Sequence, residues 1–209
     1  MRVIQYIFQL IAWTVFFVAT RVFARFKVEG RENLKNLAGP LLIIANHRTL
    51  ADPFIVGTLF KPSPKYLPMG FIVADLFYKN IFLRPFLFLL RAYPAHRGEG
   101  LDISLKEPRR LLKNGGVFLI FPAGTRHSTG PAPRPKRGAA VLALGMPNIT
   151  ILPIYIKISP GWGLKDLILR RKKIGICVGE SFKLRDKTKS YNVNEVSHFF
   201  ADEILRLAR

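Results

Sequence analysis

The sequence predicts an α/β fold, a single layered domain in which helices flank a mostly parallel central sheet. Three observations predict it. Short unbroken apolar runs, Leu41–Ala45 and Val117–Phe121, have the character of strands buried on both faces. Helical periodicity marks the segments Leu101–Lys113 and Val193–Leu207. The two signals alternate along 209 residues, a length that suits one domain with a full core.

The elements follow in order. Val3–Ala19 is apolar, bracketed by Arg2 and Arg21, and lacks the small-residue cleavage site of a secretory signal. It falls just short of the roughly 20 residues that a perpendicular span requires. Gln5 and Gln9, one helical turn apart, give it a weakly polar flank. Residues 1–25 are therefore expected to be a membrane-associated helix, embedded without spanning, and 26–209 the main domain; an ordinary core helix is the competing reading. Phe26–Gly30 reads as a short strand, and Leu41–Ala45 follows the Gly39-Pro40 turn. Pro53–Phe60 reads as a helix with Asp52 at its N-cap, ended by Lys61-Pro62-Ser63-Pro64. Phe71–Leu90 reads as two helices broken near Arg84-Pro85, and Tyr93–Ala95 as a short strand. The Leu101–Lys113 helix ends at Asn114-Gly115-Gly116. Residues 122–137 form a long Pro/Gly/Arg loop, of a length that usually serves function. A helix over Arg137–Leu144, strands over Ile149–Ile158 and Ile174–Gly179, and the Val193–Leu207 helix complete the chain.

Charge narrows the partners. Lys and Arg number 33 against 13 Asp and Glu, a net +20, while 49% of residues are hydrophobic and the mean hydropathy is +0.19. Such a balance calls for an anionic partner. A nucleic-acid module interleaves its basic stripes with exposed aromatics, whereas here the phenylalanines lie inside apolar runs such as Phe86–Leu90. Arg2, Arg21, Arg25 and Lys27, and then Arg170–Lys173, flank apolar segments instead. This suits an anionic phospholipid membrane, where each nearby basic side chain is worth roughly 1 kcal/mol, and no nucleic acid is expected. Cys177, the single cysteine, sits in an apolar strand and reads as an inert thiol; no metal site is expected.

Three strand ends carry the chemistry. Asn46-His47 follows a buried strand, with Asp52 five residues on, and the C-terminal edge of a parallel sheet is where such folds hold ligands. A histidine there can take a proton from an alcohol, and a carboxylate on its other nitrogen fixes the tautomer. No Gly-x-Ser-x-Gly or reactive cysteine stands nearby as a nucleophile, so direct attack by a substrate hydroxyl is the simpler chemistry. The bland reading is that Asp52 only caps a helix and His47 only bonds a turn. Phe121-Pro122-Ala123-Gly124-Thr125-Arg126 follows a second strand; Gly124 permits a close bend and Arg126 can hold phosphate oxygens. Lys136, Arg137 and Gly138 open a helix whose N-terminus favours an anion. Arg97 follows a third strand, in Tyr93-Pro94-Ala95-His96-Arg97. A solvated basic loop is the bland alternative.

Together these blocks resemble the bacterial phosphate acyltransferase family typified by 1-acyl-glycerol-3-phosphate acyltransferase, over about Lys27 to Gly179. Val28–Leu34 is similar to its opening segment. Asn46–Asp52 matches its His-x4-Asp motif, Phe121–Arg126 matches Phe-Pro-Glu-Gly-Thr-Arg except at Ala123, and Leu152-Pro153-Ile154 is similar to its last strand motif. The resemblance implies His47 as general base with Asp52 orienting it, and Arg97, Gly124, Thr125 and Arg126 on the lipid phosphate. It gives Asn46, Pro122 and Pro153 supporting places. It also implies acyl-CoA or acyl-acyl carrier protein as acyl donor, no bound cofactor or metal, and a lysophospholipid acceptor. An acidic acyl carrier protein suits a basic surface as partner, and the expected location is the cytoplasmic face of the cell membrane. Four changes depart from the pattern: Ala123 stands for Glu, His96 for Asp, Arg91 for Gly, and the pair Val73-Ala74 occupies lysine positions. A different lysolipid or lipid alcohol as acceptor, or a non-catalytic membrane-binding homologue, are the alternatives these departures leave open.

Overall fold

The computed structural model describes residues 2–37, 39–127, 134–158 and 173–208. The basic residues Arg170, Arg171 and Lys172 lie outside them. A helix α1 (Arg2–Val22) leads into β1 (Arg25–Glu29), a 3-10 turn over Arg31–Leu34, β2 (Leu41–Ala45) and α2 (Asp52–Gly57). Then come β3 (Gly70–Val73), α3 (Asp75–Lys79), α4 (Arg84–Leu89) and β4 (Ala92–Pro94). They are followed by α5 (Leu101–Ser104), α6 (Lys106–Lys113), β5 (Val117–Ile120), α7 (Gly138–Leu144) and β6 (Thr150–Ile158). The chain continues through β7 (Lys173–Val178), β8 (Phe182–Lys183), α8 (Leu184–Lys187) and α9 (Val193–Arg206). Among the described residues the strands form one sheet in the order β1-β7-β6-β2-β5-β3-β4, with β8 beside β6. Every pairing is parallel except β6 with β7 and β6 with β8. The expected α/β architecture with a mostly parallel sheet is therefore the one observed.

Strand periodicity builds two cores from one sequence run. In β2, Leu41, Ile43 and Ala45 face a layer that includes α2, through Ile55 and Val56. Leu42 and Ile44 face the other layer, against Leu111 and Leu112 of α6, Leu142 of α7 and Phe200 of α9. Fully burying Ile43 or Ile44 contributes about 1.5–3 kcal/mol each. This central strand ends directly at Asn46, so the position of His47 is inherited from the best-packed part of the molecule.

The region 71–90 differs from its expected pair of helices. Its first residues join the sheet as β3, beginning at Gly70, where an added Cβ would press on Leu111 Cδ2 at 2.5 Å and Tyr93 Cε2 at 2.9 Å and those side chains would have to shift. The helical break falls at Asn80, whose side-chain oxygen accepts from the Phe82 and Leu83 amides at 3.0 and 3.3 Å. Pro85 lies in the first turn of α4, where its missing N–H needs no partner. The expected Leu101–Lys113 helix divides at Leu105. The restart at Lys106 places Pro108 in a first turn, which a continuous helix would not.

α1 has two unlike faces. Gln9 Nε2 donates to the Met69 and Leu90 carbonyls, both at 2.7 Å, and its Oε1 accepts from the Met69 amide at 2.8 Å. Gln5 donates to the Phe88 carbonyl and Trp13 to the Phe60 carbonyl. The polar flank read from the sequence thus faces the protein. Ile4, Ile7, Ile11, Val15, Val18 and Val22 recur at helical spacing on the opposite side and are exposed. Replacing Gln9 by leucine strips partners from a buried amide and two carbonyls; an expected loss of about 2–4 kcal/mol should appear in chemical denaturation.

Candidate active site

The loop after β2 is built around one carboxylate. Asp52 occupies the first turn of α2, one residue inside the expected cap; Ala51 holds the cap position. Its side chain turns back rather than capping forward. Oδ2 accepts from the Arg48 amide at 2.6 Å and the Thr49 amide at 2.8 Å, and Oδ1 accepts from Thr49 Oγ1 at 2.7 Å. Oδ2 also meets His47 Nδ1 at 2.7 Å. Because that oxygen already accepts from two amides, the shared proton belongs to His47 Nδ1, which leaves a lone pair on Nε2. The Asp52 side chain is fully buried and that of His47 is 16% exposed, so the carboxylate is sealed while the imidazole keeps an edge on solvent. The ring stacks on Phe121, centroids 4.1 Å apart at 10°.

Asn46 sets where this loop begins. Its side-chain oxygen accepts from the Ile156 amide at 2.6 Å and its Nδ2 donates to the Ile156 carbonyl at 3.0 Å. The amide imitates one more step of the β2–β6 ladder while the main chain turns away toward His47. Pro153 sits lower in the same ladder, opposite Ile44, buried and remote from the imidazole in register.

Hydrogen bonds tie the neighbouring strand ends to this one. The His127 amide donates to the His47 carbonyl at 3.1 Å, joining the loop after β5 to the loop after β2. Arg48 reinforces the joint through Nη1 to the His127 carbonyl and Nη2 to Tyr155 Oη, each at 3.1 Å. Within the loop, the Gly124 amide donates to the Phe121 carbonyl at 2.9 Å and the Lys136 amide to the Pro122 carbonyl at 2.6 Å. Gly124 has φ 67°, and a Cβ there would meet Lys136 Cγ at 3.0 Å, so the bend belongs to glycine. Arg97 Nη2 donates to the Gly124 carbonyl at 3.3 Å, bringing the β4 end alongside. Arg97, Thr125 and Arg126 are exposed. The ends of β2, β5 and β4 thus meet through these backbone and side-chain bonds.

Sequence reasoning missed two groups here. Asp75, at the start of α3, accepts from the His96 amide at 2.7 Å and the Arg97 amide at 2.9 Å. It holds a turn in which His96 has φ 45°. Burial pushes its carboxyl pKa up, but the Arg97 and His96 amides and nearby positive charge outweigh that and leave it lowered. The contribution to stability is therefore complete at neutral pH and lost as pH falls below the ordinary carboxylate range. Asp75→Asn should flatten that acid limb of the Tm-versus-pH curve. The available signal was a lone carboxylate in an apolar run. The second group is His127, the residue after the motif. Burial, with Arg48 and His47 adding to it, lowers its pKa, so its ring stays neutral below the usual histidine range.

Comparison with known proteins places these motifs. The acyltransferase family profile matches residues 25–157, well over half of the chain. A 1-acyl-sn-glycerol-3-phosphate acyltransferase of Pseudomonas aeruginosa is 29% identical over 161 residues, covering 76% of this chain and 60% of that protein. The Saccharomyces cerevisiae enzyme of the same name is 32% identical over 154 residues, covering 66% of this chain and 46% of its own length. The chain thus spans about half to three-fifths of these two relatives. That of Bacillus subtilis is 29% identical over 160 residues and is covered to 75%. In fold, the chain matches the crystal structure of the 1-acyl-sn-glycerophosphate acyltransferase from Thermotoga maritima. The TM-score is 0.64 and the identity 22%, over 91% of this chain and 73% of that one. The matched segment runs from β1 through the His47 loop and the Gly124 bend into β6, and on it the chain belongs to the acyltransferase family.

Proposed function

We propose that the protein moves an acyl group from a thioester of CoA or acyl carrier protein to the free hydroxyl of a lysophospholipid, first among them 1-acyl-glycerol-3-phosphate, which gives phosphatidic acid. The observation that carries this reading is the sealed Asp52 carboxylate on His47 Nδ1, which leaves Nε2 as the base. Nε2 takes the hydroxyl proton as the oxygen attacks the thioester carbonyl, and Asp52 stabilises the imidazolium. Collapse of the tetrahedral adduct expels the thiolate, which recovers that proton; no covalent intermediate forms on the protein. Arg97 and Arg126 hold the acceptor phosphate with Thr125, and Gly124 supplies the bend. Gly124's own amide is already committed to Phe121. With Val73 and Ala74 in place of lysines, the phosphate depends on these arginines, and other lysolipids remain an alternative acceptor class. In detergent, the purified protein should release thiol from an acyl thioester only when a lysolipid is present. Release indifferent to acceptor sinks the reading, and no release across a panel of lysolipids favours a non-catalytic homologue.

We place the protein on the cytoplasmic face of the membrane, with residues 1–25 as a membrane-associated helix, 26–209 as the catalytic domain, and acidic acyl carrier protein as a partner for the basic surface. The outward stripe of α1 supports this, and so does a second apolar knob: Ile81 and Phe82, 75% and 81% exposed, with Leu83 and Phe86. Phe8 and Phe86, with centroids 6.1 Å apart, join the two patches. Arg2, Lys79 and Arg84 flank them. Since the other face of α1 is hydrogen-bonded to protein, the helix lies in the interface rather than across it. Ile81→Asp with Phe82→Asp should weaken sedimentation with anionic vesicles at least about a hundredfold, and unchanged sedimentation would contradict the placement.

A further inference from the structure

A cavity of about 120 Å3 lies at the edge of the sheet opposite His47, where β3, β4 and β5 begin. Arg2, Lys65, Arg91 and Asn114 line it, and among the described residues no acidic one does. Arg91 has φ 56°, a left-handed conformation that glycine takes freely and a residue with a Cβ adopts at a cost. This chain thus puts a guanidinium on a backbone turn that disfavours a side chain. The side chain is then fixed: Nε donates to Tyr93 Oη and Nη1 to the Pro68 carbonyl, both at 3.1 Å. Backbone strain accepted to hold a cation beside two others, on a cavity where no described carboxylate offsets them, is the arrangement of an anion site.

We propose that this cavity binds a phosphate-type oxyanion, supplied by the headgroup of an anionic phospholipid or by free phosphate. Its volume is well below the roughly 300–1,000 Å3 of pockets that enclose a cofactor or drug-sized ligand, so it admits a small charged group alone. A planar, prepositioned Arg91 suits two oxygens of such a group, and Lys65 and Arg2 supply mobile charge. Arg2 also precedes Val3 and Ile4, which open the exposed stripe of α1. A headgroup phosphate seated here would leave its acyl chains beside that stripe. The site is remote from the acyl-transfer machinery and does not depend on it.

The test is the double variant Arg91→Gly with Lys65→Gln in the full-length protein. Glycine favours the left-handed turn, so the fold is expected to survive. Two probes separate the sources: inorganic phosphate against chloride at matched ionic strength, read as a Tm shift, and phosphatidylglycerol against phosphatidylcholine vesicles, read by co-sedimentation. Lys187→Gln with Lys189→Gln makes the same charge change by the layer opposite α1. Loss of a phosphate-induced Tm rise in the double variant assigns the site to free phosphate. A fall of about 25-fold in phosphatidylglycerol preference, roughly fivefold per basic side chain, absent from the Lys187/Lys189 control, assigns it to the headgroup. Wild-type behaviour in both assays overturns the proposal, as does an equal vesicle loss in the control with an unchanged phosphate response. Turnover of a detergent-dispersed lysolipid should stay at the wild-type level in the double variant, which keeps this outcome separate from the reaction at His47.

Discussion

Replacing His47 by alanine should lower lysolipid-dependent thiol release by about a hundredfold to ten-thousandfold, the contribution of a positioned general base. No other described imidazole can stand in. His127 borders the site, but its amide and carbonyl are spent joining the loops, and burial, with Arg48 and His47 adding to it, lowers its pKa. The fold should tolerate the change, because the histidine ring is partly exposed and its stacking partner Phe121 is held by β5. A rate within a few-fold of wild type, with Tm unchanged, would remove His47 from the chemistry and leave the loop as scaffolding.

Asp52 allows two substitutions with opposite lessons. Asparagine can put its oxygen where Oδ2 accepts from His47, Arg48 and Thr49, and can donate to the Thr49 hydroxyl, which also accepts. Asp52→Asn should therefore fold but lack the charge that stabilises the imidazolium, and turnover should fall by about a hundredfold or more. Alanine leaves the Arg48 and Thr49 amides and the Thr49 hydroxyl without their acceptor in a sealed place. At about 1–3 kcal/mol for each group left unpaired, Asp52→Ala should lose several kcal/mol in a denaturant melt. Equal stabilities for the two variants would mean that water replaces the carboxylate and that the site is wetter than its burial implies.

The sequence carried the His47–Asp52 pairing because both residues stand at boundaries that local physics marks, a buried strand and a helix start. What it could not carry was the direction of the Asp52 side chain. A carboxylate one residue inside a helix can cap forward or fold back, and tertiary contact with His47 decides. Asp75 escaped notice for a related reason: its partners lie 21 and 22 residues away, in a turn that exists only once β3 and β4 are paired. β3 itself was hidden because Gly70–Val73 runs without punctuation into a helix of the same apolar character. The Gln5/Gln9 flank was visible, and its orientation was not, since a polar stripe looks the same whether it meets headgroups or carbonyls.

The grip of Gln9 on Met69 and Leu90 bears on how a soluble preparation should be made. Deleting the N-terminal helix is the obvious shortcut, yet it would uncover one side of the apolar layer and abandon the main-chain groups that the glutamine serves. A truncated chain would be stickier than the whole one. Recolouring the outer stripe, by placing lysine or glutamate at Ile7, Ile11 and Val15, keeps the clamp and changes only the exposed apolar skin.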